Sequence, residues 1–295
     1  MFQAPGTLAF AQQTPPNGGT RLEIRVVGKR PPEPPKAEPG DNIRVDESTG
    51  ELIAESRGVI IRLPNKAAEL KADLDVAVQD TGSGILRYDY RLSNGVGAKR
   101  ELSAVIIEVS DPQRVTASVE GGWAAIRKTF DGRVPSMIMV TKVTPDTDPR
   151  LAAGKATSFA FSSTDVPGMV KVRILPAFVF PKNDELTDGQ FFDGASAWLR
   201  AKMLELDTTD RHEVTAYTLA PKVSPAEDSI SRVQSEIRDA STLPPFHTIS
   251  QELLAVSRMA DPNQILAALR PLGGVPVQKA FVAAVTLRLN RLRQQ

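Results

Sequence analysis

The two histidines, His212 and His247, are the side chains best suited to acid–base chemistry near neutral pH. His212 lies in a short run between Asp210 and Glu213, and an imidazole beside carboxylates can exchange protons with a substrate. Because no serine or cysteine nucleophile motif accompanies it, we interpret His212 as a solvated loop residue. His247 follows two prolines and Phe246 just before a predicted helix, which favours a packing or capping role.

Two clusters of acidic residues are the next candidates, because oxygen ligands at short spacing can bind calcium. They comprise Asn183, Asp184, Glu185 and Asp188 in one segment, and Asp146 and Asp148 in a second, proline-bounded segment. Neither follows the ligand order of an EF-hand loop, so we interpret both as solvated acidic loops.

The same carboxylates suggest an alternative function, a hydrolase whose carboxylates lie where the two halves of the chain meet. Its candidate residues are Asp184, Glu185, Asp188, Asp193, His212 and Glu213. Such an enzyme needs several of these groups to converge in one concave pocket. The spacing along the chain does not define a catalytic pair, and we therefore predict no catalytic, cofactor-binding or metal-binding residue.

Composition excludes several other classes of function. The chain has no cysteine, so it has no disulfide, thiolate nucleophile, zinc ribbon or iron–sulfur cluster. Its formal net charge of +1 gives no general attraction to nucleic acid. No GxSxG, HExxH, P-loop or dinucleotide-binding motif occurs, and no apolar run approaches the roughly 20 residues that span a bilayer. These observations favour a protein without a cofactor, a nucleic-acid partner or an integral membrane segment.

The middle of the chain has the period of β-strands. In the segment 86–92 the apolar residues Leu86, Tyr88, Tyr90 and Leu92 alternate with charged ones, which predicts a strand with one buried face. An Asn-Gly pair at residues 94–95 follows, and it predicts a hairpin between this strand and a second one at 102–109.

Further runs of strand character are separated by Asp, Gly and Pro turn residues. They span residues 58–63, 74–78, 115–119, 137–143, 157–161 and 169–175. No stretch between them is long enough for the helices of a parallel α/β fold. The pattern therefore predicts an antiparallel β-sandwich.

After residue 188 the period changes to that of helices. We predict a first helix at 194–206 with Asp193 as its N-cap, then a weakly alternating segment at 213–219 that can rejoin the sheet. Capping patterns headed by Ser224, Thr248 and Asp261 predict three more helices, and a final one begins near Pro276.

Two groups of side chains allow both a structural and a binding interpretation. Arg288, Arg291 and Arg293 crowd the end of the last predicted helix, where cations complement the negative end of the helix dipole. Phe191, Phe192 and Trp198 can pack where the sandwich meets the helices, or can anchor a partner. We prefer the structural role for both groups, over an anion site and an interface respectively.

Three pieces of the chain carry a resemblance to a known kind of protein. They are YDYRLSNG at 88–95, GGW at 121–123 and FAFSSTDVPG at 159–168. With these pieces, residues 50–180 resemble exported bacterial proteins of unknown function that carry an immunoglobulin-like or fibronectin-like β-sandwich. The resemblance implies such a sandwich and no catalytic residues, and the chain differs from antibody domains in lacking their cysteine pair.

The start of the chain differs from the rest. Seven prolines between residues 14 and 40 favour extended conformations over a packed core. Residues 8–11 end in Ala9-Phe10-Ala11, which has the shape of a signal-peptide cleavage site, so we expect a shortened export signal and an extracytoplasmic location.

Together these patterns predict an α+β protein in three parts. Residues 1–50 form a disordered proline-rich tail, residues 51–182 an immunoglobulin-like antiparallel β-sandwich, and residues 183–295 a mainly helical region. The expected function is non-catalytic binding or scaffolding of a protein or cell-envelope partner, with the hydrolase as the alternative.

Overall fold

A computed structural model describes most of the chain. The described residues are 10–13, 21–24, 35–56, 58–128, 136–142, 150–177, 196–206 and 211–294. All statements below concern these residues.

The strands account for most of the regular structure. In chain order they are β1 (Phe10–Gln13), β2 (Arg21–Ile24), β3 (Asn42–Val45), β4 (Leu52–Ser56), β5 (Val59–Leu63), β6 (Ala72–Asp80), β7 (Leu86–Asn94), β8 (Leu102–Glu108), β9 (Thr116–Val119), β10 (Trp123–Lys128), β11 (Met137–Lys142), β12 (Lys155–Ser163), β13 (Val166–Pro176) and β14 (Val214–Val223). Every predicted strand overlaps one of these strands, with ends that differ by a few residues, and the segment predicted to rejoin the sheet is β14.

The described part of the chain has five α-helices, of which the first lies between β13 and β14 and the other four follow β14. They are α1 (Ala197–Leu206), α2 (Ile230–Ala240), α3 (Ser250–Val256), α4 (Pro262–Leu269) and α5 (Pro276–Leu292). Short 3-10 helices lie at Pro112–Arg114, Pro225–Glu227 and Pro244–Ile249. No helix among the described residues combines the length and the apolar character that crossing a membrane requires.

The strands form antiparallel sheets, so the fold belongs to the α+β class. The largest sheet has five strands in the order β10-β11-β8-β13-β14, and a second has four in the order β6-β7-β12-β9. A three-stranded sheet has the order β3-β4-β5, and β1 pairs with β2. Every pairing between these strands is antiparallel.

One apolar cluster draws its side chains from both of the larger sheets. Tyr88 and Tyr90 of β7 belong to it together with Ile107 of β8 and Val172 of β13, and all four are almost completely buried. The aromatic ring of Tyr90 stacks on Phe159 of β12 with a centroid separation of 4.8 Å. The predicted alternation in β7 is therefore confirmed, because its apolar row is the buried face.

The predicted hairpin between β7 and β8 is wrong. β7 pairs with β6 and β12, whereas β8 pairs with β11 and β13 in the other large sheet. The reason lies in Asn94, whose buried amide donates to the carbonyls of Arg100 and Leu151 and whose side-chain oxygen accepts from the N–H of Lys71. These bonds direct the chain out of the four-stranded sheet instead of into a tight turn.

Two sheets cross the predicted part boundaries. β3 lies in the segment predicted to be a disordered tail, yet it pairs with β4, and the carboxylate of Asp41 accepts hydrogen bonds from Ser56 and from Ser196 at the start of α1. β14 lies in the segment predicted to be mainly helical, yet it is the last strand of the five-stranded sheet.

Helix α1 packs on the three-stranded sheet. Leu199 and Met203 of α1 form a small buried cluster with Leu52 and Ala54 of β4, and the indole of Trp198 packs against it. The packing role predicted for Trp198 is thus confirmed, whereas Phe191, Phe192 and Asp193 lie outside the described residues.

The helix starts were predicted with mixed success. Asp261 caps α4 by accepting a hydrogen bond from the N–H of Asn263, as predicted. Ser224 instead precedes a 3-10 turn and makes no side-chain cap, and α2 is capped by Ser229, whose hydroxyl accepts from the N–H of Arg232. Thr248 lies within a 3-10 helix, so the second predicted capping box is also wrong.

The helices α2–α5 pack together and against β13 and β14. Their buried cluster includes Phe246, Phe281 and Leu289, and it takes in Met169 of β13 and Leu219 of β14. Helix α5 also contacts β6, where Arg291 donates to the carboxylate of Asp80 and keeps the pKa of that carboxyl below its ordinary value.

A buried ionic cluster joins helices α5 and α2 to β13. Arg288 is 1% exposed and forms ion pairs with Asp228 and Glu236, while also donating to the carbonyl of Pro167. The other carboxylate oxygen of Glu236 accepts from the N–H of Met169. Burial alone disfavours the charged guanidinium, but Asp228 and Glu236 outweigh this and raise the pKa of Arg288. The arginine is structural, as predicted, through ion pairs rather than through the helix dipole.

Gly168 leaves the space that this cluster needs. A Cβ atom at this position would lie 2.7 Å from the Oε1 atom of Glu236 and 2.7 Å from the side chain of Lys222. Glu236 is held by Met169 and Arg288, so it cannot move away without losing these bonds.

We expect Arg288→Met to destabilise the protein by about 3 to 5 kcal/mol, because it leaves two carboxylates buried without a cation. Chemical denaturation measures the free energy of unfolding. Arg293→Met is the control, since Arg293 is exposed near the end of the same helix and its change should stay within about 0.5 kcal/mol. Equal unfolding midpoints for the two variants would contradict the structural role of this cluster.

Candidate binding groove

Three of the histidine and acidic candidates lie among the described residues, namely His212, Glu213 and His247. His212 is half-buried, and His247 is exposed in a 3-10 helix beside the buried Phe246. The remaining candidates lie outside the described residues, namely Asp146, Asp148, Asn183, Asp184, Glu185, Asp188 and Asp193. In the part of the chain that the structure describes, no group of three or more His, Asp or Glu side chains is arranged to hold a metal ion.

Glu213 is the predicted candidate residue that lies in a concave site. Its side chain is 7% exposed, and one carboxylate oxygen is 3.8 Å from the guanidinium of Arg173. It lines the end of a groove with a volume of about 940 Å³.

This groove, which we call the edge groove, lies between the last strands of the two large sheets. β6 is the terminal strand of the four-stranded sheet and β14 that of the five-stranded sheet. The lining residues include Ala72, Asp73, Leu74 and Asp75 of β6, Val214, Thr215, Ala216 and Tyr217 of β14, and Lys171 of β13. Prolines and valines at the start of the Pro244–Ile249 helix and of α5 form a further part of the wall, and Asn65, Ala67 and Ala68 before β6 complete it. A volume of this size is within the usual range of binding sites in proteins.

Hydrogen bonding around Leu219 shows which way the main chain of β14 points. Leu219 lies opposite Met169 in the β13–β14 register. Met169 instead donates its N–H to Glu236 and accepts at its carbonyl from Lys222, so this pair exchanges no ladder bonds. The carbonyl of Leu219 points away from β13 and accepts from the hydroxyl of Tyr90, at 2.8 Å.

Alternation then fixes the direction of the neighbouring residues in the strand. In an antiparallel pair, successive residues point their N–H and C=O groups to opposite sides of the strand. The register is continuous from Gly168 to Ile174, so Tyr217 and Thr215 point their main-chain groups the same way as Leu219. These groups are directed into the edge groove, on the side of β14 where no strand of the described residues pairs with it.

The same reasoning applies to β6. Thr81 donates its N–H to the carbonyl of Ile85, and Gly95 donates to the carbonyl of Lys71, so residues 71 and 81 point toward β7. Residues at even positions in between point the other way. Ala72 and Leu74 therefore direct their main-chain groups toward the groove.

The charges that line the groove are predominantly negative. Asp73 and Asp75 are exposed on β6, and Lys171 is the exposed cation on the opposite wall. Glu213 is already matched by Arg173. The surface available to a partner thus combines two carboxylates with one ammonium group, beside apolar groups such as Val275 and Ala216.

Sequence reasoning missed this groove because it is built from segments that are distant along the chain. Residues 72–75 and 214–217 meet only when two sheets and a helix are assembled. The local signal was limited to Thr215 and Tyr217, polar residues that interrupt the apolar run of β14 on one face. That pattern predicts an edge strand but not its neighbour.

Comparisons of the sequence and the structure with known proteins add little to the description of this groove. No protein-family model matches the chain, and no curated protein matches it. Among solved structures, the chain is similar to the crystal structure of a GH20 exo-β-N-acetylglucosaminidase from Vibrio harveyi in complex with N-acetylglucosamine. The match has 13% identity and a TM-score of 0.25, and it covers 54% of this chain and 19% of that one. A TM-score this low carries no argument about fold or activity.

We expect Tyr90→Phe to lower the free energy of unfolding by about 1 to 3 kcal/mol at neutral pH, since Leu219 loses its buried donor. Burial raises the pKa of Tyr90 well above its ordinary value of 10.0. The wild type therefore has this stabilisation in full below pH 10.0 and loses it as the pH rises further, because only the unfolded state ionises. Chemical denaturation at neutral and alkaline pH measures how the free energy of unfolding changes with pH. This free energy should fall less steeply above pH 10.0 in Tyr90→Phe than in the wild type.

The control for this experiment is Phe161→Leu, a change in the same buried cluster that introduces no titratable group. It should lower the stability by a similar amount at every pH. Parallel pH curves for Tyr90→Phe and the wild type would show that the hydroxyl is not buried as described.

Proposed function

We propose that this protein is a non-catalytic binding or scaffolding protein that holds a protein partner in the edge groove. The observation that carries the proposal is the open groove itself, in which two terminal strands expose main-chain and apolar groups between the sheets. Unpaired strand edges are templates for another chain unless they are covered or charged. Strands β6 and β14 thus offer a rigid frame for recognition.

We further propose that the two large sheets form an immunoglobulin-like or fibronectin-like β-sandwich. In support, their side chains share one buried cluster, and each sheet is antiparallel. Sandwiches present binding surfaces at their edges and loops, on a frame that does not move. The helices α2–α5 are then an addition that covers part of one edge.

The proposed partner is a protein, or a protein component of the cell envelope, and the proposed location is outside the cytoplasm. The support comes from the sequence, namely the Ala9-Phe10-Ala11 shape. Fractionation with mass spectrometry tests the location. A product that retains Met1 and stays in the cytosol would contradict it.

The hydrolase remains the alternative, but no observation on the described residues favours it. Of its candidate groups, His212 and Glu213 are described, and the carboxylate of Glu213 is occupied by Arg173. The four acidic candidates between residues 184 and 193 lie outside the described part.

Selection from a library of random linear peptides tests the binding proposal. We expect peptides that bind the wild type and bind Thr215→Trp at least about tenfold more weakly, because the indole fills the groove from an exposed position. Titration of each labelled peptide by fluorescence anisotropy gives the dissociation constants.

Thr116→Trp is the matched control, since Thr116 is an exposed threonine on β9, which is the opposite terminal strand of the four-stranded sheet. Its affinity should equal that of the wild type. If no peptide is enriched, or if both variants bind as the wild type does, the edge groove is not a binding site.

A further inference from the structure

We propose that the ligand of the edge groove is an extended, basic segment of a partner protein, which pairs with β14 as an additional strand. This inference rests on the proposed function, and it specifies how the partner binds and which charge it carries. Three observations support it: the direction of the main chain in β14, the charge of the walls, and the way that helix α5 covers only part of the open edge.

Two residues of β14 present main-chain groups to which another strand can pair. Thr215 and Tyr217 direct their N–H and C=O groups into the groove, as the bonding of Met169 and Leu219 shows. Two residues spaced by two present the donors and acceptors that one antiparallel or parallel partner strand would satisfy. Recognition of this kind derives its affinity from the main chain and its specificity from alternate side chains.

The helices cover the edges of β6 and β14 only in part, and they leave the segments at the edge groove open. Farther along β6, Val76 and Val78 pack against the helical cluster, and Asp80 pairs with Arg291 of α5. Farther along β14, Leu219 is occupied by Tyr90. Among the described residues, the part of both strands that no helix covers coincides with the groove.

The charge of the walls selects a basic segment. Asp73 and Asp75 are exposed on the β6 wall, and their charges exceed that of Lys171 by one. A lysine or arginine side chain of an added strand can place its cation near these carboxylates, with its aliphatic stem along the groove wall. An acidic segment in the same place would bring like charges together, which is unfavourable.

Peptides whose binding depends on the groove in the Thr215→Trp comparison supply the probes for the test. We expect lysine or arginine at alternate positions of these peptides. Each peptide is then synthesised with N-methyl groups on one set of alternate amides, or on the other set. One pattern should abolish binding and the other should weaken it far less, because only every second residue of an added strand faces β14.

A pair of variants isolates the main-chain contact. Thr215→Pro removes the N–H that points into the groove, and it removes no bond to β13, so the sheet should fold with its melting temperature little changed. It should weaken binding by about tenfold or more, since the added strand loses the donor at residue 215 and meets the proline ring in its place. Thr215→Ala removes the same side chain and keeps the N–H, so it should bind like the wild type.

A second pair isolates the charge. The double variant Asp73→Asn with Asp75→Asn should weaken binding by about fivefold to tenfold and should flatten its dependence on salt. The control, Asp239→Asn with Glu252→Gln, removes two exposed carboxylates from helices outside the groove, and it should leave binding unchanged.

Each contrary result has a distinct meaning. Groove-dependent peptides that tolerate both methylation patterns and Thr215→Pro would overturn strand pairing while the proposed function stands. Groove-dependent peptides that are acidic or uncharged would overturn the basic ligand. A concentration-dependent dimer in sedimentation that Thr215→Pro abolishes would assign the edge to a second copy of this chain and would overturn the inference. The absence of any groove-dependent peptide would overturn both proposals.

Discussion

The apolar core that the five-stranded and four-stranded sheets share is the constraint on which the other features of this structure depend. Tyr90 shows how tightly the two sheets are coupled, because its ring stacks on Phe159 in one sheet while its hydroxyl bonds to Leu219 in the other. Burying so many apolar side chains fixes the separation of the sheets. It also fixes the distance between β6 and β14, and therefore the width of the edge groove.

The helices act on this frame by covering one side of it. Helix α5 lies across the open edge and is held there by the ionic cluster of Arg288, by the pair of Arg291 with Asp80, and by apolar contacts to Val76 and Val78. A buried ion pair often stabilises less than an apolar contact of equal size, but it is satisfied only when its partners meet in suitable geometry. The cluster thus specifies where the helix lies, and its position decides which part of the edge remains open.

Local patterns in the sequence were sufficient for the elements but not for their partners. The alternation in β7, the cap at Asp261 and the start of the last helix at Pro276 are properties of neighbouring residues, and all three agree with the structure. The pairing of β7 depends on Asn94, which bonds to residues that are distant in the chain, and no local pattern shows this. The edge groove could not be predicted for the same reason, since only Glu213 among its residues had been singled out, and for a different chemistry.

Gly168 has a consequence for how the sequence can vary between species. The residue has no side chain because the carboxylate of Glu236 occupies that space while it serves both Met169 and Arg288. Replacing any one of these three residues during evolution would leave the others with a steric clash or an unpaired charge. The glycine, the glutamate and the arginine should therefore be inherited as a set. A homologue that has lost the glutamate would lack one of the two side chains that exclude a Cβ atom at the position of the glycine, the other being Lys222.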